Sequence, residues 1–489
     1  MQEIDWLVLI LFFVLMIIIG FWSYGKVKDS QDFFVAGGKL PWWLSGISHH
    51  ISGYSGAVFV AYAGIAYTHG FTIYIWWALT ISVSIFVGSG FLAPRWSRLR
   101  SHLHIQSPTE YLKTRYNLPT QQLIAWSGVL LKLFDVGAKW LAISLLLNGF
   151  TGTSILFGIL LSGGISLIYI TVGGLWADVY TDMAQFVVQI VAGMTMFFIV
   201  LERLGGLDSV FGIWEQLPEG HGQPFNAPYT AGFAFTFLLI NFLSYNGGTW
   251  NLATRYISSP SGSDARKAAI FSALLYLVWP LILFFPMWAA PLILPNLTEP
   301  TQSYAILTQE LLPPGLIGLV LASMFANTMS MTSSDANTVS SVISRDILPN
   351  LSGKFRGLEK KKSLYLARLS TFVFTGLTLV VAIHAENFGG ILGLIISWFA
   401  ALLGPVSVPM LLGLLPAFSH ADSKAAIVSI ILGFAGFIIF RYFISSTQVV
   451  QIASPVVITF LVYLSMQIIN RNKKVEPEVS NLLNLLKID

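Results

Sequence analysis

Six ionisable residues stand inside stretches otherwise apolar enough to cross a bilayer: Lys132, Asp135, Lys139, Asp178, Asp182 and Arg441. A charge at mid-membrane costs at least ~2.5–3.5 kcal/mol on insertion scales, so each is a candidate for function by default. Asp135 and Lys139 are spaced i, i+4 on one helix face, where they neutralise one another or meet a solute or ion. Asp178 is expected near the inner boundary, where water solvates it, and Arg441 near a span end, from which it snorkels. Asp182 lies deeper, about 9 Å in from Trp176 at 1.5 Å per residue. Its counterpart is "NTMSMTSSDANTVSS", Asn327 to Ser341, in which eleven of fifteen residues are polar. Ser323, Asn327, Ser330, Ser334, Asn337 and Ser341 recur at steps of three and four and form one face. Ser334 is about 16 Å in from Arg345 by the same rise, so it meets Asp182 if the two helices pack together. Hydroxyl and carbonyl oxygens suit a hard cation such as sodium, by the logic that governs calcium and magnesium. Bonding between helices, worth ~0.6 kcal/mol per bond on average, needs no stripe so dense.

Two helices that must position these groups are interrupted. "ISGYSG", Ile51 to Gly56, places Ser52, Gly53, Tyr54 and Ser55 in the middle of an apolar segment. "SYNGGTWN", Ser244 to Asn251, places Asn246, Thr249 and Trp250 at the same depth of another. Glycine in membrane helices also serves close packing. A matched pair of interruptions is instead the sequence pointer to a transporter's binding site, where bared carbonyls and helix ends hold ions and polar solutes. His49 and His50 precede the first break, either lining an inner vestibule or packing between helices.

Of 489 residues, 55% are hydrophobic and only 10% charged, against about 25% charged in a soluble domain. Apolar runs of roughly 20 residues recur along the whole chain, each enough to cross a ~30 Å core. The expected class is an all-α polytopic membrane protein with about thirteen transmembrane helices. The first run follows Glu3 and Asp5 without a basic n-region or a small-residue cleavage pattern, and reads as a retained helix. Lys26, Lys28, Arg98, Arg100, Arg255, Lys360, Lys361, Lys362 and Arg471 fall in alternate loops, while Glu202, Asp208, Glu215, Glu219 and Glu386 fall in the others. Basic residues mark the cytoplasmic side, which puts the N-terminus outside and the C-terminus inside a plasma membrane. The helices carrying the two breaks are five spans apart and run in opposite directions, so two five-helix halves would have inverted topology. The expected division is an extra N-terminal helix and linker (1–41), a first repeat (42–202), a second repeat (229–416), two further helices (417–470) and a tail (471–489). With no cysteine there are no disulfides or thiolate ligands; no transition metal, nucleic acid or obligate protein partner is expected. There is no HExxH helix, GxSxG elbow or Gly-Lys-Ser/Thr phosphate loop, so an enzyme is the least expected class.

These residues resemble the sodium/solute symporter family, which includes sodium/glucose, proline and sialic-acid transporters. The resemblance covers about residues 30 to 445. It is carried by "DFFVAGGKLPWW" leading into "ISGYSGAVF", by "YITVGGLWADVYTDMAQ", "GGTWNLATRYISSP" and "MSMTSSDANTVSSVISRD", and more weakly by "LLGPVSVPMLLGLL". It implies a LeuT-type 5+5 inverted repeat, the arrangement the paired breaks suggest on their own. It also implies a shared sodium site with carbonyl donors Ile51, Tyr54 and Asn327 and the Ser330 hydroxyl. The second hydroxyl position of that site falls at Met331, a poor sodium ligand, with Thr332 about 100° further around the helix. A second sodium site of some members would use Ser330, Ser333, Ser334 and Asp182. Where sugar-transporting members place a glutamate, a lysine and a glutamine, this chain has Trp77 (or Ile75), Tyr276 and Ser397. Asp135 falls where sialic-acid members place an arginine; an acid there repels anions and favours a neutral or cationic solute. Tyr54, Trp76, Trp77, Trp250 and Trp398 offer stacking faces, although packing is the commoner use of such residues. The expected function is sodium-driven uptake of a small polar organic solute, sugar-like or amino-acid-like, by alternating access. Proton coupling through Asp182 or Asp135, and a membrane sensor that binds without transport, are the alternatives.

Overall fold

The structure is a computed structural model and describes residues 1–385, 400–444 and 448–487. Among these residues the regular structure is helical, apart from one isolated bridge between Asn226 and Tyr229. Among the described residues seven helices are long and apolar enough to span a membrane, and a bent pair, Tyr74–Ser89 with Ala93–Leu103, makes an eighth if it is one span. Side chains such as Leu11, Ile18 and Phe21 of the first helix are exposed, as expected where lipid and not water is the neighbour.

The helices that build the centre have local reasons to start and stop where they do. Helix α1 is Glu3–Tyr24; α2, Trp42–Ile51, and α3, Ala61–His69, are the two halves of the first interrupted segment. Helix α4, Leu118–Thr151, starts where the Asn117 side chain accepts the Thr120 N–H, and ends at Gly152 with φ +70°. Such caps satisfy backbone groups that helix ends leave open. Element α5, Ile155–Arg203, is two helical runs that meet at Gly174, whose φ 53°, ψ −143° is non-helical and a conformation only glycine adopts readily. Tyr169 bonds the Met329 carbonyl and Asp182 bonds Ser330. Residues on either side of Gly174 therefore lie at one height, and the chain doubles back there. The second interrupted segment consists of α6, Ala231–Leu243, and α7, Asn251–Ile257. Helix α8 is Gly262–Ile293 and α9 is Leu316–Val342.

Helix α9 carries the hydroxyl stripe and is the most buried of the long apolar helices among the described residues. From Val320 to Val342 every residue but Met331 is buried. Its N-terminus is held by α1: Asp5, fully buried, accepts the Gly315 and Gly318 N–H groups at 2.6 and 3.0 Å. A carboxylate at the positive end of the helix stabilises it both as a cap and through the dipole. Asp5, at sequence level one of two acids ahead of an apolar run, thus joins the first helix to the central one.

Candidate ion and solute site

Both interruptions are present, and they satisfy one another. After Ile51 the backbone turns through Ser52–Ser55 into a short 3-10 turn, Gly56–Phe59, before α3. Its freed carbonyls are taken by side chains from or near the other break: Tyr276 Oη donates to His50 O, Asn251 Nδ2 to Ser52 O and Tyr245 Oη to Gly53 O, at 2.6–3.1 Å. The carbonyls of Ile51 and Tyr54 take none of these bonds. The second break runs from Ser244 to Trp250, with Gly247 at φ 121° and Trp250 at φ 68°. A tryptophan in the left-handed region is costly and persists only where its surroundings dictate it; its indole packs against the Gly128 backbone.

One polar centre lies where α2, α5, α7 and α9 meet. Ser330 Oγ donates to Asp182 Oδ1 and Ser333 Oγ to Asp178 Oδ1, both at 2.5 Å, and Ser334 Oγ to Asp178 Oδ2 at 2.8 Å. Ser48 and Ser52 of α2 and the turn after it donate to Asp182 Oδ2. Arg255 of α7 reaches the same oxygens: Nη2 lies 2.6 Å from Asp178 Oδ2 and 3.3 Å from Asp182 Oδ2, and it also bonds Ser52 and Ser334. Nε and Nη1 are buried without a partner, so the guanidinium engages the oxygen cluster by one edge. Counted by formal charge, two carboxylates against one guanidinium sum to −1, and all three groups are fully buried.

This centre corrects two expectations. Arg255 is not a loop residue and Asp178 is not solvated; both are 0% exposed. A hydropathy reading takes an arginine after an apolar run as the membrane boundary. Here two carboxylates on another helix hold it inside, and Arg100 caps the end of α7 through the Ile257 and Ser259 carbonyls.

A second charged cluster joins α4 to α9. Lys132 lies 2.7 Å from Asp335 and 3.3 Å from Asp135; Lys139 lies 2.7 Å from Asp135 and 3.1 Å from Asp335. Asp335 was hidden among hydroxyl residues, one step around the helix from Ser334 and so on a different face. Four alternating charges sum to zero. Asp135 is therefore not the isolated acid that would repel an anion, and that argument for the solute's charge falls.

A cavity of about 200 Å³ lies between the breaks. Of the residues the sequence marked for solute or stacking, Ser52, Gly53, Tyr54, Ser55, Trp77, Asp135 and Thr249 border it, together with Lys139, Tyr245, Asn251 and Met331, which it had not marked for solute. Asn246, Trp250 and Tyr276 stand outside its lining. Asn246 turns away to donate to the Ser84 and Phe242 carbonyls, and the Tyr276 ring meets Tyr54 and Trp77 edge-on. Trp76 stacks on Tyr229. His49 bonds Ser272, Tyr245 and Tyr256 and His50 packs against Tyr276, which is the packing role. Ser397 and Trp398 lie outside the described residues. Thr332 Oγ1 donates to Thr328 O in its own helix at 2.7 Å. Thr328, missed in the sequence, accepts the Gly56 N–H at 3.0 Å and ties the first break to α9.

A multi-pass helical membrane protein with paired helix breaks around a charged, hydroxyl-lined centre is the class this geometry defines. Residues 33–433 match the sodium:solute symporter family, and the chain belongs to that family. It is 25% identical over 459 residues to the sodium/sialic acid symporter SiaT of Proteus mirabilis, covering 90% of each chain. It is 26% identical over 378 residues to a sodium/glucose cotransporter of Vibrio parahaemolyticus, covering 70% of this chain and 68% of that one. Among solved structures, an outward-open Na⁺-coupled sialic acid symporter superposes with a TM-score of 0.81 at 22% identity, covering 95% of this chain and 98% of the other. A nucleobase-cation-symport-1 family transporter in a closed conformation gives 0.58 at 14%. The fold is shared with both.

Proposed function

We propose that the protein is a sodium-coupled symporter that brings a small polar organic solute across the plasma membrane by alternating access. The observation that carries this reading is the convergence of Asp182, Ser330, Ser333 and Ser334, in a centre whose formal charges sum to −1, beside a cavity between two helix breaks. A monovalent cation supplies the missing charge, and hydroxyl and carboxylate oxygens are the donors that a hard ion takes. The shared site of Ile51, Tyr54 and Asn327 carbonyls with Ser330 is less well furnished: Met331 borders the cavity and the Thr332 hydroxyl is used by its own helix. The family relatives named for sodium coupling support the same ion. Solute then binds at the breaks, and closure around both carries them inward together. Each charge moved down 100 mV contributes ~2.3 kcal/mol.

The fuller architecture is part of the proposal: about thirteen spans, inverted repeats at 42–202 and 229–416, N-terminus outside and C-terminus cytoplasmic. The chain has no cysteine, so single cysteines can report sidedness. Lys474→Cys is expected to react with an impermeant maleimide only in inside-out vesicles, and Glu219→Cys only in right-side-out ones. The reverse pattern would invert the assignment. Transport itself is tested in proteoliposomes with candidate solutes: uptake above equilibrium is expected under an inward sodium gradient and not under choline or a proton gradient. Accumulation indifferent to sodium would end the proposal.

A further inference from the structure

Apolar side chains would serve to fasten α4 to α9 as well as a charged tetrad does. Replacing a buried ion pair with apolar side chains of similar volume is often neutral or stabilising by ~1–4 kcal/mol. Two of its members, Asp135 and Lys139, also border the cavity. Lys139 Nζ gives donors to Asp135 and Asp335 at 2.7 and 3.1 Å, and an ammonium carries a third. Asp135 takes both lysines on Oδ2, which leaves Oδ1 as an acceptor. One wall thus offers a cationic donor and an anionic acceptor side by side. Val58, Trp77, Phe237, Ile240 and Leu252 make much of the remainder apolar.

We propose that the solute is a small zwitterion with an apolar body, its carboxylate on Lys139 and its ammonium on Asp135. In an α-amino acid the nitrogen and the carboxylate carbon are about 2.5 Å apart across two bonds of ~1.5 Å. That spacing suits a wall whose opposite charges are in direct contact. A lone anion or cation satisfies one member and faces the like charge of the other. A sugar needs partners around its whole rim, and a hydroxyl buried against aliphatic carbon without one costs roughly 1–3 kcal/mol. The volume of about 200 Å³ is below the ~300–1,000 Å³ of sites for drug-sized ligands.

This narrows the symport reading and rests on it. The test uses the purified full-length protein in detergent, with sodium chloride or choline chloride at equal ionic strength, and reads thermal stabilisation by added solute. The probes are L-alanine, L-valine and L-leucine; isobutyrate and isobutylamine as half-molecules; and glucose and myo-inositol. At least one amino acid is expected to stabilise the protein in sodium, with its half-molecules weaker by at least about tenfold, ~1.4 kcal/mol. The net-neutral double variant Asp135→Asn/Lys139→Met is expected to lose that amino acid while keeping the parent's sodium-induced shift. Stabilisation by the sugar or polyol instead, by none of the three amino acids, or equally by a half-molecule overturns the assignment, as does unchanged binding in the double variant. If the double variant does not fold, the half-molecule comparison on the parent decides. Amino-acid binding that is the same in choline would remove sodium coupling and leave the zwitterion in place.

Discussion

Asp182→Asn is expected to raise the sodium concentration that half-stabilises the protein by roughly tenfold to a hundredfold, since contacts to a charged group are worth ~1.5–3 kcal/mol. The substitution keeps the side chain's shape and one accepting oxygen, while the amide nitrogen donates where the second carboxylate oxygen accepted a serine hydroxyl. What it removes is the excess negative charge: Asp178 and Arg255, 2.6 Å apart, then neutralise each other and nothing in the centre calls for a cation. The readout is apparent melting temperature against sodium chloride, with choline chloride holding ionic strength constant. It needs no knowledge of the solute. A variant as responsive to sodium as the parent would move the ion out of this centre.

Arg255→Met should produce the larger structural effect. It leaves Asp178 and Asp182 fully buried, sharing hydroxyl donors and no counter-charge. Breaking a buried pair in this way costs about 3–5 kcal/mol, because the remaining charge stays desolvated. The expected outcome is a severe loss of folded yield, with whatever remains strongly dependent on sodium. The double variant Arg255→Met/Asp178→Asn restores one negative charge and is expected to recover most of the yield, measured by size-exclusion chromatography in detergent. Full stability of the single variant would show that Arg255 does not balance the two acids.

How far the sequence revealed this centre follows from what each signal reports. The breaks were legible because glycine pairs and polar residues interrupt otherwise apolar runs at 51–56 and 244–251. The serine face was legible because helical periodicity places Ser330 and Ser334 together. Asp182 was found by its depth alone. Arg255 was not, because the same rule that orients helices reads a basic residue at a run's end as a loop residue. Asp335 escaped because a carboxylate among hydroxyls looks like one more polar group, although it lies on another face and meets two lysines. Direction also mattered: Asn246 lies in the break yet turns to Ser84, and Asn251, three residues past Gly248, turns to Ser52. Spacing along a distorted helix does not fix which way a side chain points.

The location of the cation is open to a direct measurement: equilibrium binding of radiolabelled sodium to the purified protein, parent and Asp182→Asn side by side at constant ionic strength. An ion held between α5 and α9 requires saturable binding by the parent, displaced by unlabelled sodium and not by choline, and binding lost in the variant. Equal, saturable binding by both proteins would contradict it.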